Sequence, residues 1–190
     1  MKIDKTEENG NIMKFVLKDA RHSEANAIRR AATGMVQTFA INSVTFYENT
    51  SAMFDEYIAH RIGLVPIKTP RKPSESEEVV FTLDATGPKT VYSSELQTSD
   101  KEVCVANDKI PLIKLGKEQK LKIECKASVG IGYNHAKFQP GMLSYEDVAE
   151  GTFNFYLESF GQMKPQEILD KAISYITDEL KDTAKNVKKL

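Results

Sequence analysis

Residues 54–61 contain the side chains of this sequence that come nearest to a catalytic pair. Glu56 and His60 are four positions apart, so in a helix they share one face and could act as an acid–base pair or bind a metal. A zinc site needs three or four ligands, and the sequence has no HExxH spacing. An exposed contact between the two side chains, or a histidine at a protein interface, is the favoured interpretation.

The glycines and cysteines of the chain also lack the full patterns of a phosphate-binding turn and of a metal site. Gly130 and Gly132 follow a predicted strand, as in a phosphate-binding turn, but His135 stands where a third glycine is needed. Cys104 and Cys125 are too far apart to form the CxxC pair that holds zinc or an iron–sulfur cluster. The sequence therefore predicts no catalytic residue, no metal and no cofactor.

The composition narrows the classes of protein that fit. The 190 residues are 41% hydrophobic, which is enough to bury a core in one or two domains. Lys and Arg total 26 against 27 Asp and Glu, so the chain lacks the cationic excess typical of nucleic-acid-binding proteins. No stretch approaches the ~20 apolar residues needed to cross a bilayer, and the amino-terminal residues are charged. We expect a cytoplasmic protein with no direct nucleic-acid or membrane partner.

The first third of the chain alternates between strand and helix patterns. Alternating apolar residues at 13–17 predict a strand, and apolar residues at helical spacing after Ser23, a potential N-cap, predict a helix ending near residues 35–37. The β-branched and aromatic residues 40–47 predict a second strand that pairs with the first. A second helix is expected at 54–62, with Gly63 in a left-handed conformation at its end.

The middle third is predicted to be rich in β-structure. Residues 68–78 have the polar, proline-containing composition of a solvated connector, and a boundary is expected near them. Alternation at 79–83 and 121–129 and the apolar run at 111–115 predict further strands. A strand at 153–157 and a helix from Pro165 almost to Leu190 follow.

The closing helix has an apolar stripe that, at 1.5 Å per residue, is ~30 Å long. Its members are Ile168, Leu169, Ala172, Ile173, Ile176, Leu180, Ala184 and Val187. A large apolar side chain left exposed forgoes ~1.5–3 kcal/mol of burial, so a partner protein is the economical interpretation. The alternative, that the helix lies across a sheet of its own chain, is the commoner arrangement in α+β domains.

Four segments resemble the α-type assembly subunits of cellular RNA polymerases. HSEANAIRR at residues 22–30 resembles their first-helix motif, and FDEYIAHRIGLVPI at 54–67 resembles the DE-aromatic-IAHR signature of the archaeal and eukaryotic branch. GYNHAKFQP at 132–140 is similar to the HAK turn, and residues 153–169 resemble the strand-to-helix segment FxFxxES-x-G. The resemblance covers nearly the whole chain and is strongest to the archaeal α-like subunits of DNA-directed RNA polymerase.

The resemblance implies an α+β fold in which a discontinuous dimerisation domain, an antiparallel sheet with two long helices, is interrupted by a β-rich insert domain. It places the dimerisation domain at residues 1–48 and 152–190 and the insert at 49–151. It also implies a heterodimer with a smaller subunit, L, formed through the first and last helices. The implied contacts with subunit L are Ile28, Ala31, Ala32, Met35, Ile168, Leu169, Ile173, Ile176 and Leu180.

The resemblance also implies contacts with further polymerase subunits. Arg30 matches an arginine implicated in holding the second-largest catalytic subunit, a role that suits a planar guanidinium. The implied contacts with that subunit and with the small zinc-bearing subunits N and P are Asn26, Arg29, Arg30, Asp55, Glu56, His60 and Arg61. For the last four, helix capping and pairing within the helix, worth ~0.3–0.5 kcal/mol per pair, are an alternative of comparable weight.

The predicted function is a non-catalytic assembly platform of DNA-dependent RNA polymerase. Residues 139–151 are few and lack cysteine, so the chain resembles the form of the family without an iron–sulfur subdomain. One rival is an enzyme that uses Glu56 and His60. The other is a β-rich module that binds single-stranded nucleic acid, which needs stacking aromatic residues beside basic ones. Its candidates, Tyr92, Tyr133 and Phe138, are widely dispersed in the sequence.

Overall fold

The computed structural model describes residues 1–70, 73–74 and 77–189. Within these residues the chain forms three α-helices, α1 (His22–Gly34), α2 (Asp55–Gly63) and α3 (Pro165–Val187). The strands in the same residues are β1 (Lys2–Asn9), β2 (Ile12–Lys18), β3 (Gln37–Asn49), β4 (Glu78–Thr86), β5 (Lys89–Tyr92), β6 (Gln97–Thr98), β7 (Pro111–Leu115), β8 (Lys120–Ile131), β9 (Gly141–Ala149) and β10 (Thr152–Ser159). The predicted α+β class and the β-rich middle of the chain are confirmed.

The chain divides into two compact units, and the first of them is discontinuous. Unit 1 contains Met1–Val36, Ile131–His135 and Gln139–Leu190, and unit 2 contains Gln37–Gly130 and Ala136–Phe138. Each unit has a hydrophobic core of its own. As boundaries of functional domains, residues 48/49 and 151/152 stay a prediction.

Unit 1 is built on a four-stranded antiparallel sheet in the order β1-β2-β10-β9. Phe15 of β2 pairs with Phe155 of β10, and their rings stack with centroids 4.7 Å apart. Every second residue of these two central strands is buried, because alternate side chains of a strand share one face of the sheet. The strands predicted at 13–17 and 153–157 are therefore confirmed.

Helices α1 and α3 pack into the core of unit 1. Ile28 of α1 and Ile168 and Ala172 of α3 belong to the same cluster of buried side chains as the central strands. Pro165 occupies the first turn of α3, as predicted, because a proline there leaves no backbone N–H without a partner. The core of unit 1 is thus a layer of two helices on one face of a sheet.

The start of α1 differs from the prediction. The helix begins at His22 and not after Ser23, and Arg21 takes the N-cap position. The Glu24 carboxylate accepts the backbone N–H of Arg21 at 2.8 Å, which fixes the N-cap two residues before the predicted Ser23. That hydrogen bond is the main reason why the pKa of the Glu24 carboxyl is lowered. The nearby Arg21 guanidinium lowers it further.

Unit 2 contains a sheet in the order β3-β8-β4-β6 and a separate pair of strands, β5 and β7. Phe81 of β4 and Ile123 of β8 are central to its core. The prediction that residues 40–47 pair with the first strand is wrong, because β3 pairs with β8 and buries Phe39 and Ile41 in this core. The strands predicted at 79–83, 111–115 and 121–129 are confirmed.

Helix α2 packs on unit 2 through Ile58 and Ile62, and its end differs from the prediction. Gly63 is the last helical residue and is not left-handed. Leu64 takes the C-cap position in the right-handed region, with φ −86°, and the N–H of Val65 donates to the Ile62 carbonyl at 3.1 Å. A tight right-handed turn therefore ends the helix without a left-handed glycine.

The predicted connector at residues 68–78 is only partly a solvated segment. Thr69 is buried, and its hydroxyl accepts the backbone N–H of Phe39 at 3.0 Å. Residues on both sides of the segment belong to unit 2, so the units do not divide there. Arg71, Lys72, Glu75 and Ser76 lie outside the described residues.

Candidate partner-binding surfaces

The two halves of α3 have different surroundings. Ile168 is fully buried in the core of unit 1, and Leu169 and Ala172 are buried beside it. Every described residue from position 177 onward is exposed. In that second half Leu180 is 66% exposed and Val187 is 61% exposed. Unit 1 therefore covers only the first half of the apolar stripe.

The exposed half of α3 keeps its charged and apolar residues on different sides. Lys181 pairs with Asp178 at 3.1 Å, and Lys185 pairs with Asp182 at 2.9 Å. At 100° per residue these ion pairs lie away from Leu180 and Val187, so the apolar side carries no charge of its own. This half of α3 therefore offers an apolar side that another molecule could cover.

The residues predicted to contact subunit L fall into two groups. Those buried in the core of unit 1 are Ile28, Ala31, Ala32, Ile168 and Leu169. Those that keep surface are Met35, Ile173, Ile176 and Leu180. A side chain enclosed by its own chain has little area left for a partner, so the second group is the part of the predicted surface that another molecule could cover most readily. Contact of this surface with a partner stays a prediction.

The polar residues of α1 are not equivalent to one another. The Arg29 guanidinium donates to the side-chain oxygen of Asn26 through Nε at 3.1 Å and Nη2 at 2.9 Å. The Arg29 guanidinium is therefore bound to another side chain of its own helix. Arg30 is exposed on α1, which leaves its planar guanidinium accessible to a carboxylate or carbonyl of another molecule.

Helix α2 presents a second uncovered surface, which we call the α2 surface: Phe54, Glu56, Tyr57, His60 and Leu64. Phe54 is 72%, Tyr57 64% and Leu64 49% exposed. The two aromatic rings are neighbours, with centroids 6.3 Å apart. Tyr57, His60 and Leu64 share one side of the helix because they are three and four positions apart.

The candidate catalytic pair lies on this surface but is not joined. Glu56 and His60 are both exposed. In the described part of the chain no ion pair or hydrogen bond links their side chains. Asp55, beside them, accepts a hydrogen bond from the Asn49 side chain at 2.6 Å, so it helps to hold the start of the helix. Glu56 and His60 are both open to solvent, so acid–base chemistry between them would not be sheltered from water.

Arg61 is occupied within unit 2. Its Nε donates to the Leu112 carbonyl at 2.8 Å and its Nη2 donates to the Pro111 carbonyl at 2.7 Å. These bonds tie α2 to β7. The Arg61 guanidinium therefore has a structural role within unit 2, and its contact with another subunit stays a prediction.

Replacing Arg61 by alanine should lower the free energy of unfolding by about 1–3 kcal/mol, because two charge-assisted hydrogen bonds are lost. Urea titration of the full chain, monitored by circular dichroism, measures this loss of free energy. The control is His60→Ala, an exposed change on the same helix that should leave the midpoint unchanged. Equal midpoints for the two variants would contradict the structural role of Arg61.

The glycine turn is required by packing. A Cβ atom on Gly130 would stand 2.6 Å from the Phe138 ring, and one on Gly132 would stand 2.3 Å from the Thr33 carbonyl oxygen. Both positions therefore need a residue with no side chain. This explains the two glycines without a bound phosphate, in agreement with the interpretation of the segment as a turn.

The HAK turn is anchored by Lys137 and Phe138. The Thr38 hydroxyl donates to the Phe138 carbonyl at 2.7 Å, and the Lys137 Nζ donates to the Asn42 side chain at 2.6 Å. Nζ also lies 5.1 Å from the centroid of the Phe138 ring. Burial lowers the pKa of the Lys137 ammonium. The motif therefore holds residues 137 and 138 against Thr38 and Asn42 of β3.

The strand-to-helix segment is held by the Ser159 side chain. Its hydroxyl donates to the Met163 carbonyl at 2.5 Å and accepts the backbone N–H of Gly161 at 3.0 Å. Gly161 has a φ of +104°, which disfavours other residues. The ES-x-G pattern therefore sets the path by which the chain leaves β10 and enters α3.

Chemistry at the cysteines is limited by burial. Within the described residues no group of three or more potential ligands could hold a metal ion. Cys125 is enclosed in the core of unit 2, where burial, with a smaller effect of Glu124, raises the pKa of its thiol to about 12. Cys104 is free and partly exposed.

In the folded chain at pH 8, Cys104 should react with iodoacetamide and Cys125 should not. The thiolate is the reactive form, and a pKa of about 12 leaves about one thiol in 10⁴ ionised at pH 8. Because the folded pKa is raised, reactivity should return only as the pH approaches that value. Peptide mass spectrometry measures both rates, with the urea-unfolded chain as control. Equal labelling in the folded state would contradict the burial of Cys125.

Comparison with known proteins decides the family. The family model for the RNA polymerase Rpb3/RpoA insert domain matches residues 40–144. The chain is 48% identical to DNA-directed RNA polymerase subunit Rpo3 of Methanocaldococcus jannaschii over 158 residues, covering 83% of this chain and 81% of the relative. The chain belongs to the Rpo3 family. The predicted resemblance to the archaeal α-like polymerase subunits is confirmed, since Rpo3 is the archaeal subunit of that type.

Other Rpo3 proteins match over a smaller part of their own length. The subunit of Pyrococcus furiosus is 43% identical over 74% of this chain and 56% of the relative. That of Halobacterium salinarum is 43% identical over 68% of this chain and 52% of the relative. This Rpo3-family chain therefore spans little more than half the length of these two relatives.

Membership of the Rpo3 family makes the chain a subunit of a DNA-directed RNA polymerase, a complex for transcription. None of the described helices is both long and apolar enough to cross a bilayer. The exposed aromatic residues Phe54 and Tyr57 were not among the predicted contact residues, although a helical wheel separates Tyr57 and Leu64 from the buried Ile58 and Ile62. That signal was available in the sequence.

Proposed function

We propose that this Rpo3-family chain is a non-catalytic assembly subunit that heterodimerises with subunit L. The pair would form the platform that recruits the large catalytic subunits in the cytoplasm. The observation that carries the proposal is the uncovered apolar side of α3, where Leu180 and Val187 are exposed beyond the core of unit 1.

The size of the exposed stripe supports a permanent partner. Burying a leucine or valine side chain yields about 1.5–3 kcal/mol, so covering the second half of α3 gives a substantial part of the energy of a stable interface. Ile173 and Ile176 are partly buried against unit 1, and they continue the stripe from the core toward Leu180. We infer a dimerisation domain formed by residues 1–48 and 152–190, with the insert at 49–151.

We further propose that Arg30 of α1 and Asp55, Glu56 and His60 of α2 contact the second-largest subunit or the small subunits N and P. Their exposure supports this assignment. Asn26, Arg29 and Arg61 are engaged with their own chain, so their role is to position neighbours. The nucleic-acid rival loses support because Phe138, one of its three aromatic residues, is buried.

The direct test is co-expression with subunit L followed by measurement of the mass of the complex. We expect a stable 1:1 complex, and a chain that self-associates or aggregates when expressed alone, because exposed apolar surface is otherwise unprotected. A monodisperse chain with no affinity for subunit L would contradict the proposal.

A further inference from the structure

The α2 surface combines aromatic rings with uncompensated negative charge. Phe54 and Tyr57 are mostly exposed, and Glu56 lies between them in the sequence. The only permanent cation of α2, Arg61, is turned toward the carbonyls of Pro111 and Leu112. The outward side of the helix therefore has π faces and a carboxylate but no permanent positive charge from α2 itself.

This combination favours one kind of partner. A guanidinium or ammonium group is attracted both to the face of an aromatic ring and to a nearby carboxylate. Tyrosine and phenylalanine are also among the residue types enriched at protein interfaces. A purely apolar partner would remove water from the Glu56 carboxylate without supplying a counter-charge. Burying an unpaired charge in this way costs free energy.

We propose that the α2 surface is the docking site for a segment of another polymerase subunit that inserts an arginine or lysine between the rings of Phe54 and Tyr57 and the Glu56 carboxylate. Leu64 receives the apolar part of the same segment, since it shares the outer side of the helix with Tyr57. This inference rests on the proposed function, because it requires the chain to be an assembly platform. It adds the chemistry of the partner and the anchor residues Phe54, Tyr57 and Leu64.

The test uses the full chain in complex with subunit L. The probes are the purified second-largest subunit and subunits N and P, each titrated separately at low and high salt. We expect at least one probe to bind, and to bind more weakly as salt rises, because an exposed charge pair is screened. Glu56→Lys should weaken that binding at least tenfold.

Matched variants separate aromatic from merely apolar contact. Tyr57→Phe keeps the ring and should bind within about twofold of the parent, whereas Tyr57→Leu removes the π face and should lose several-fold in affinity. Val80→Ala, at an exposed position on β4 of the same unit, is the control and should have no effect. All of the substituted positions are exposed, and circular dichroism checks that each variant is folded.

A photo-crosslinker at position 57 then identifies the docked segment in the assembled polymerase. We expect the crosslinked peptide to belong to another subunit and to contain Arg or Lys within a few residues of the crosslink. Equal binding by Tyr57→Leu and Tyr57→Phe, no salt dependence, binding by none of the three probes, or a crosslink to a second copy of the chain or to nucleic acid would each overturn the inference. The same samples contain subunit L, which is expected to bind through α3. A failure of subunit L to bind would instead reject the proposed function.

Discussion

Replacing Leu180 by aspartate should weaken the complex with subunit L by at least about 100-fold, because a carboxylate without a partner would be buried in an apolar contact. The folded chain itself should be unaffected, since Leu180 is 66% exposed. Ile176→Asp should have the same effect on the complex. Titration of subunit L against each variant by isothermal calorimetry measures the loss.

The control for these variants is Ser174→Asp, which adds the same charge to an exposed position on the polar side of α3. It should bind subunit L as the parent chain does. If Leu180→Asp and Ile176→Asp also retained parental affinity, α3 would not be the interface, and the proposed function would lose the observation on which it depends.

Ile168→Ala should destabilise the chain by about 2–5 kcal/mol, the range for truncating a large aliphatic side chain in a packed core. Ile168 is fully buried in unit 1. Leu180→Ala, which removes the same number of carbon atoms from the same helix, should change the free energy of unfolding by no more than about 0.5 kcal/mol. Urea titration followed by the helical signal measures both variants.

The contrast between these two variants tests the division of α3 into a covered and an uncovered half. Val187→Ala is the second control and should match Leu180→Ala in the free chain. In the presence of saturating subunit L, the two exposed variants should become destabilising, because the partner then contributes to the stability of the helix. Similar losses for Ile168→Ala and Leu180→Ala in the free chain would contradict the division.

The periodicity of the sequence predicted most elements of the fold but could not assign their neighbours. Leu169 and Leu180 occupy nearly equivalent places in the apolar stripe, yet Leu169 is enclosed by unit 1 and Leu180 is not. A helical pattern identifies the apolar side, and the tertiary structure determines what covers it. For the same reason residues 40–47 were recognised as a strand but given the wrong partner.

The candidate surfaces were predicted in part for a similar reason. Glu56 and His60 could be placed on one face from their spacing alone. The role of Arg61 could not be predicted, because its carbonyl partners, Pro111 and Leu112, are distant in the sequence. Likewise the exposure of Phe54 depends on how α2 sits on unit 2, which no local pattern encodes.

The strand order of unit 1 determines when the sheet of this unit can be completed during synthesis. The hairpin of β1 and β2 is translated before unit 2, but β10, which pairs with β2, is translated only after all of unit 2. At about 5–20 residues per second, the apolar face of the hairpin waits on the order of ten seconds for its partner strand. During this interval unit 2 can fold while the amino-terminal hairpin remains vulnerable to aggregation and accessible to chaperones. The proposed pairing through α3 would therefore require a chain that has passed this late stage of synthesis.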